Sequence, residues 1–229
     1  MQKKRAGKAA KVPVHRPPLS NQVRIIGGAW KRTALPVLDA LGLRPTPDRV
    51  RETVFNWINH LRGGAWEQAL CLDLFAGSGA LGFEAASRGA LSVTMVDNHT
   101  PVVHQLEEIK NRLHAEQVQI IRGDALATAQ TLAARGQRFD LIFLDPPYQQ
   151  EWLMRALPLT AALLKEGGLV YAESGQSLTF DQPGETAAVE GETGAEATPD
   201  WMAPWKVIRA DKAGTVFYHL LTYNKNNGN

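Results

Sequence analysis

The sequence predicts an α/β fold: a doubly wound, mostly parallel seven-stranded sheet closed by an antiparallel hairpin and preceded by a small N-terminal extension. Three observations lead there. From residue 69, short apolar runs alternate with helical stretches, the pattern of parallel strands joined by crossover helices and covered on both faces. The first run passes into DLFAGSGALG, a glycine turn of the kind that ends a strand and opens a helix. The last two runs, WKVIRADKAG and TVFYHLLTY, meet at a short Gly-containing turn, as two antiparallel strands do.

Each element follows in order. Residues 1–22, rich in Lys, Pro and Ala without apolar period, read as a disordered basic tail. The extension, residues 23–66, begins with VRIIGGAWKRTALPV, two apolar runs about a Gly-Gly turn, and so a hairpin-like element. It continues with RPTPDRVRETVFNWINHL, where Val50, Val54, Trp57, Ile58 and Leu61 recur at helical spacing. Thr46 can cap the first turn of that helix, beside Pro47, whose missing N–H costs nothing there. The main domain, residues 67–229, supplies strands ALCLDLF, LSVTMVD, VQIIRG, FDLIFLD and GGLVYAES, with helices near 79–88, 100–115, 125–135 and 150–165. Residues 181–200 carry six acidic residues and no basic one, and read as a flexible insertion before the final hairpin.

Composition narrows the function classes. At 229 residues the chain has room for one core with appendages. Its lone cysteine, Cys71, falls inside an apolar run, which excludes an internal disulfide and a cysteine-based metal site and suits a reducing cytoplasm. No apolar run approaches the roughly 20 residues of a membrane span, and no signal peptide is expected. His60, His104, His114 and His219 have no metal-ligand spacing. The formal charge of +2 conceals an asymmetry: residues 1–32 hold nine basic side chains and no acidic one. That leaves 16 of the 25 basic residues against all 23 acidic ones, a balance of −7. A basic arm on an acidic body suits a polyanionic partner, although a solubilising tail would look the same.

In the glycine loop, Gly77, Gly79 and Gly82 match G-x-G-x-x-G, which permits a tight turn, close approach of a ligand, and close packing of the next helix. Dinucleotide-dependent dehydrogenases use the same pattern. Asp73 argues against them, because a carboxylate at the loop's mouth repels a pyrophosphate and favours a cation such as the sulfonium and ammonium of S-adenosylmethionine. The alternative is that Asp73 only braces its own loop. Asp97, at the end of the second strand, is placed to accept from ribose hydroxyls, with Asn98 beside it. Asp124, or the N–H of Ala125, is placed to meet an adenine edge, and Asp124 is equally a helix N-cap.

The fourth strand ends in LDPPY. Prolines stiffen the bend and remove donors, leaving the Pro146 carbonyl unpaired; Asp145 is an acceptor-only carboxylate, and Tyr148 is a flat π surface. Two acceptors beside a stacking platform suit a planar ring bearing an NH2 group. Its nitrogen, with hydrogens held by Asp145 and Pro146, can aim a lone pair at a sulfonium methyl. Placement contributes on the order of 7 kcal/mol to lowering the barrier, and stacking roughly 1–3 kcal/mol to binding. Such a base must be unpaired or flipped out. A rigid turn after a core strand is the plain alternative.

The combination RIIGGAWKRTAL, LRPTPDRVRETVFNWI, CLDLFAGSGALGFEAASRGA and FLDPPY resembles the bacterial 16S ribosomal RNA guanine-N2 methyltransferases known as the D type of the small-subunit enzymes, over about residues 23–175. The resemblance implies a class I, Rossmann-like methyltransferase fold, S-adenosylmethionine as donor, and transfer to N2 of one guanine (position 966 in ribosomal numbering). The implied partner is 16S rRNA or a partly assembled small subunit, with no membrane and no metal, for a chain acting as a monomer. It further implies that Asp73, Phe75, Ala76, Gly77, Ser78 and Gly79 bind the cofactor with Asp97. Asp124 lies near the adenine, and Asp145, Pro146, Pro147 and Tyr148 form the catalytic loop. The segment from Arg44 through Thr46 to Glu52 closes over the cofactor. Where the family commonly has a longer Glu and a second acidic residue, this chain has Asp97 and His99. Spacing alone does not choose guanine over adenine, so a DNA adenine-N6 methyltransferase and a non-catalytic RNA-binding assembly factor stay open.

Arg44, Arg49 and Arg51 are candidates for phosphate or carboxylate contacts or for plain solvation, and Trp30, beside Lys31 and Arg32, is a candidate for stacking on RNA or, as hairpin aromatics more often do, for packing beneath its own turn. Removing residues 1–22 is expected to weaken RNA binding and flatten its salt dependence while sparing cofactor affinity; a truncated protein with an unchanged salt slope would make the arm a mere tail.

Overall fold

The computed structural model describes residues 22–38, 46–147, 150–178 and 202–224. The basic tail up to residue 21, Arg44, Tyr148 and the acidic segment 181–200 lie outside the described residues. Strands β1 (Gln22–Arg24) and β2 (Ala34–Pro36) pair antiparallel with Val23 opposite Leu35, the hairpin expected of the extension. Helix α1 (Asp48–Leu61) buries Val50, Val54, Phe55 and Ile58. Leu61, expected on the same stripe, emerges at the last turn and is exposed. The cap expected from Thr46 is not made: Pro47 is the N-cap residue, and the Thr46 hydroxyl goes to two carboxyl groups instead.

The main body runs β3 (Leu70–Asp73), α2 (Ala80–Ser87), β4 (Ser92–Asp97), α3 (Thr100–Leu113), β5 (Val118–Arg122), α4 (Ala125–Ala134), β6 (Phe139–Leu144), α5 (Gln150–Thr160), β7 (Leu164–Ser174), β8 (Trp205–Ala213) and β9 (Val216–Tyr223). These strands form one seven-stranded sheet in the order β5-β4-β3-β6-β7-β9-β8. The first five are parallel, and β9 runs antiparallel to both β7 and β8. After β5 the chain crosses back to lay β6 on the other side of β3. The connections leaving β3 and β6 therefore diverge, and a crevice opens at their carboxyl ends, where α/β sheets bind ligands.

The period of two along each central strand sends neighbouring side chains into different cores. Cys71, Leu141, Phe143, Leu169 and Tyr171 enter one layer, shared with α1, α2 and α3. Leu72, Ile142, Leu144, Val170 and Ala172 enter the other, shared with α4 and α5. Burial on both faces explains why these runs read as almost continuously apolar. Helix α1 covers the part of the sheet near β6 to β9, with Phe55 against Phe143 at 5.8 Å and Trp57 stacked on Tyr218 at 5.6 Å. Trp30 is half-buried against this same layer, the packing role expected of it.

Helix α5 stops at Thr160, short of the expected 165. Pro158 brings no N–H to the last turn, and the Thr160 hydroxyl satisfies the Leu157 carbonyl at 2.6 Å. Strand β7 then begins early, at Leu164, and a register shift opposite Phe139 and Leu141 absorbs the extra residues.

One carboxylate ties the extension to the body. Glu84 of α2 is fully buried and accepts from the Ile26 amide (2.6 Å), the Gly27 amide (2.9 Å) and Arg88 Nε (2.8 Å). Ser87, one turn on, accepts from the Trp30 amide at 2.9 Å and donates to the Gly27 carbonyl at 2.6 Å. Replacing Glu84 by Ala strands two amides and a guanidinium, so Glu84→Ala is expected to cost about 3 kcal/mol or more in urea unfolding. A loss below about 0.5 kcal/mol, the size of an ordinary surface change, would mean that the extension is held by its apolar contacts alone.

Candidate active site

Strand β3 ends at Asp73, and the chain turns through Phe75, Ala76, Gly77 and Ser78 into α2. Gly79 is the N-cap residue in a left-handed conformation, φ 78°. A Cβ there would lie 2.6 Å from Phe83, and one on Gly82 would lie 2.8 Å from Met95 of β4. The second and third glycines of the motif thus serve close packing, of the loop on its own helix and of that helix on the sheet. The Gly77 amide donates to Asp97 Oδ2 at 3.0 Å, and the His99 amide to Asp97 Oδ1 at 2.9 Å. Asp97 therefore buttresses the turn from the end of β4, with a lone pair left on each oxygen.

Asp73 departs from its expected place at the mouth of the loop. It is 1% exposed and lines neither lobe of the cleft described below. Its Oδ2 accepts from the Gly82 amide at 3.1 Å, and Oδ1 makes no hydrogen bond of acceptable geometry. The reason is positional: Asp73 is the last residue paired within β3, in register with Met95 and Phe143, so its side chain is still within the layer. Burial pushes its carboxyl up to about 7, aided by the Asp97 charge and opposed by the Phe75 and Gly82 amides. Asp73 braces the loop and leaves one orphaned acceptor beneath it.

The cleft has two lobes that share Phe75, Gly77, Asp145 and Pro147. The larger, about 320 Å³, is lined by Asp97, Asn98, His99, Gly123, Asp124, Ala125 and Trp152. Asp124 is also the N-cap of α4, its Oδ1 accepting from the Ala127 amide at 2.9 Å, so it caps the helix and lines the cleft at once. Trp152 stands edge-on to Phe75 at 6.1 Å. The smaller lobe, about 70 Å³, is lined by Val37, Leu38, Thr46, Ala76, Ser78, Gln105 and Pro146, among others. Gln105 Nε2 donates to the Pro36 carbonyl at 2.9 Å, which holds the end of the hairpin over this lobe.

Asp145 sits where the lobes meet. Its Oδ2 lies 3.2 Å from Thr46 Oγ1, and the same hydroxyl lies 2.5 Å from Oε1 of Glu173, which also accepts from the Tyr171 hydroxyl at 2.6 Å. Burial, followed by the Glu173 and Asp73 charges, holds the Asp145 carboxyl well above the usual range, with Thr46 opposing. Burial likewise raises Glu173, against the hydrogen bonds from Thr46 and Tyr171. Arg51 is fully buried rather than solvated: Nη2 meets Asp48 Oδ1 at 2.6 Å and Nε donates to the Thr46 carbonyl at 3.3 Å. Arg49 is exposed.

The structure thus gathers Thr46, Phe75, Ala76, Gly77, Ser78, Asp97, Asn98, Asp124, Ala125, Asp145, Pro146 and Pro147 around one cleft, with Asp73 and Gly79 supporting its floor. Sequence reasoning missed Glu173, Trp152 and Gln105. For Glu173 a signal existed: a carboxylate ending an apolar strand, at the edge where such sheets bind ligands. His99, in the sequence only a departure from the family pattern, lines the larger lobe with Nδ1 3.4 Å from Asp97.

Comparison with known proteins gives a consistent outcome. Residues 23–198 match the family described as Conserved hypothetical protein 95. The chain is 37% identical over 203 residues to ribosomal RNA small subunit methyltransferase D of Escherichia coli, covering 88% of this chain and 90% of that protein. It is 39% identical over 165 residues to the protein of the same name from Haemophilus influenzae, covering 70% and 83%. A solved structure from Escherichia coli, the candidate methyltransferase yhhF, superposes with a TM-score of 0.69 at 35% identity, covering 89% of this chain and 99% of that one.

The raised carboxyl of Asp73 sets a sign for stability. Between 3.8 and about 7 the folded protein holds a proton there that the unfolded chain has released, so this group makes stability fall as pH rises across that window. Asp73→Asn is expected to make urea stability less dependent on pH from 4 to 7; an unaltered profile would mean that Asp73 is ionised throughout.

Proposed function

The chain belongs to the family of the small-subunit ribosomal RNA methyltransferases D, described also as Conserved hypothetical protein 95, and from that premise we propose that it methylates the exocyclic N2 amine of a guanine in 16S rRNA, with S-adenosylmethionine as donor. The observation that carries the reading is the position of Asp145, the one carboxylate shared by both lobes of the cleft. A donor and an acceptor can each reach it from a different side.

The residues fit such a donor. Asp97 offers acceptors at the end of β4 for ribose hydroxyls, and the Asp124–Ala125 turn offers an acceptor and an apolar wall for a purine. Asp97, Asp124 and Asp145, which line the larger lobe, oppose a pyrophosphate, which disfavours a dinucleotide cofactor. When bound, S-adenosylmethionine supplies a methyl group on a sulfonium centre. Arg44, in the segment leading to Thr46, belongs to the proposed cover of this cleft.

Everything else falls to the chain. An aromatic amine is a poor nucleophile because its lone pair is delocalised into the ring. Asp145, accepting one N–H, draws that pair back onto nitrogen, and Pro146 and Pro147 hold the carboxylate without backbone donors that would compete for it. Tyr148 supplies the stacking surface for a base taken out of its helix. The basic arm, with nine cationic residues before position 33, draws the body to RNA or to a partly assembled small subunit.

The test is transfer of labelled methyl to small subunits lacking the modification, followed by digestion to nucleosides. N2-methylguanosine is the expected product; N6-methyladenine would point to the DNA-type reaction, and no label to an assembly factor. Asp145→Ala is expected to lower turnover by about 10²- to 10⁴-fold with unchanged affinity for S-adenosylhomocysteine. Equal losses in both would make the loop structural.

A further inference from the structure

The cleft is acidic and its proposed substrate is a polyanion. Asp97, Asp124 and Asp145 line it, and Glu173 stands behind Thr46, so the phosphates on either side of a target base are repelled where the base is wanted. Cations beside the cleft, without carboxylates of their own, offset that repulsion. Two of them stand about the tip of the β8–β9 hairpin.

Strand pairing fixes where that tip lies. Asp145 follows directly on Leu144, which is level with Ala172 of β7. One residue beyond Ala172, Glu173 pairs with Tyr218 of β9, and Tyr218 with Asp211 of β8; two residues beyond, Ser174 pairs with Phe217, and Phe217 with Lys212. The last row that β7 shares with the hairpin therefore runs Ser174, Phe217, Lys212, leading away from the catalytic loop. Phe217 lies on the second strand out from β6, so at about 4.8 Å per strand it stands roughly 10 Å from the line of that loop, within reach of a nucleotide close to the target.

The side chains of this row are open. Phe217 is half-buried and Lys212 exposed, with Lys212 Nζ 4.5 Å from the centre of the Phe217 ring. On the other face of the hairpin, Asp211 accepts from the Tyr218 hydroxyl at 2.8 Å and from the Lys212 amide at 2.7 Å. Arg49, exposed in the first turn of α1, lies close enough for its charge to act on both Asp211 and Tyr218. Neither Lys212 nor Arg49 has a carboxylate within ion-pairing distance among the described residues.

We propose that the tip of the β8–β9 hairpin is a docking surface for the single-stranded RNA flanking the target guanine: a neighbouring base stacks on Phe217, and Lys212 and Arg49 take adjacent phosphates. This deepens the methyl-transfer reading above and rests on it. In the free protein the ammonium covers the ring, a weak contact at an exposed site; its flexible stem lets it move to a phosphate as a base takes its place, and every base has a face that fits. Charge alone does not account for the row. Lys206, Arg209 and Lys212, exposed on the edge strand β8, discourage a second sheet from pairing there, but a half-buried ring adds nothing to that guard.

The test separates the ring from its packing. Phe217→Leu keeps an apolar side chain in the hairpin, and Phe217→Tyr keeps a π face. Binding to small subunits lacking the modification, measured by filter retention, is expected to weaken about 10-fold in Phe217→Leu and to stay within about twofold of wild type in Phe217→Tyr. Lys212→Gln and Arg49→Gln are each expected to lower the slope of log affinity against log salt by about 0.7, the share of one single-strand phosphate. In methyl transfer, Phe217→Leu should raise KM for the subunits by the same factor as binding, with kcat and the affinity for S-adenosylhomocysteine unchanged, a split that a collapsed hairpin would not give. Phe217→Leu binding like wild type, the Leu and Tyr variants falling equally, or both glutamine variants keeping the wild-type slope overturns the surface and leaves methyl transfer standing. Wild-type protein that transfers no methyl but keeps these differences in binding overturns methyl transfer and leaves the surface to an RNA-binding assembly factor. Wild-type protein that does not bind the subunits overturns both.

Discussion

Three carboxyl groups stand at the carboxyl ends of neighbouring strands, Asp73 on β3, Asp145 after β6 and Glu173 on β7, with hydroxyls and amides as their bonded neighbours. Acidic groups crowded into a low-dielectric rim cost stability: burial raises all three carboxyls, and the Glu173 and Asp73 charges raise Asp145 further. The rest of the molecule is arranged around that cost. Both faces of the sheet are buried under apolar side chains, and the segment just before α1 places one hydroxyl, that of Thr46, between two of the three acids. Without that hydroxyl, Asp145 and Glu173 would face each other with no donor between them.

This accounts for the depth at which the N-terminal extension is anchored. The hairpin holds nothing in the cleft by its own side chains except Val37 and Leu38, which follow β2. Its fixed points are backbone amides on Glu84, the Ser87 hydroxyl on the Gly27 carbonyl, and Gln105 on Pro36. All of these lie on α2 or α3, whose positions the glycine loop and the turn after β4 determine. A displacement of α2 would therefore shift the hairpin that lies over the smaller lobe. Gly79 lets the loop close on Phe83 and Gly82 lets α2 approach Met95, so both act on the site through that route as well as through the loop they shape.

What the sequence made legible was what local periodicity encodes. Alternation into two cores, the turn glycines, the terminal hairpin and the stripe of α1 each follow from residues within a few positions of one another, and the sheet was readable from them. Contacts between distant positions were not. Thr46 is 99 residues from Asp145 and 127 from Glu173, so its nearest visible role was the local one, a helix cap, and that role lost to two buried acceptors. Asp73 shows the complementary limit. Its type and place in the motif were plain, but whether it faces the cleft or lies in the layer depends on one more residue of strand pairing, which no spacing rule fixes. Helix α5 was overrun because its last turn is set by a proline and a threonine that bonds back to Leu157, both weak signals against an apolar periodic background.

At Glu173, burial and chemistry pull in opposite directions. A buried carboxylate at the end of an otherwise apolar strand destabilises the fold relative to a neutral isostere, and its hydrogen bonds from Thr46 and Tyr171 could be kept by glutamine. What the carboxyl adds that glutamine would not is a second acid across Thr46 from Asp145, whose charge helps hold the Asp145 carboxyl above its usual range. The same reasoning does not extend to Glu84, which is equally buried but bonded to two amides and an arginine, where the charge itself is matched by donors. The two glutamates differ in their partners: one is surrounded by two amides and a guanidinium, and the other faces a second acid across a single hydroxyl.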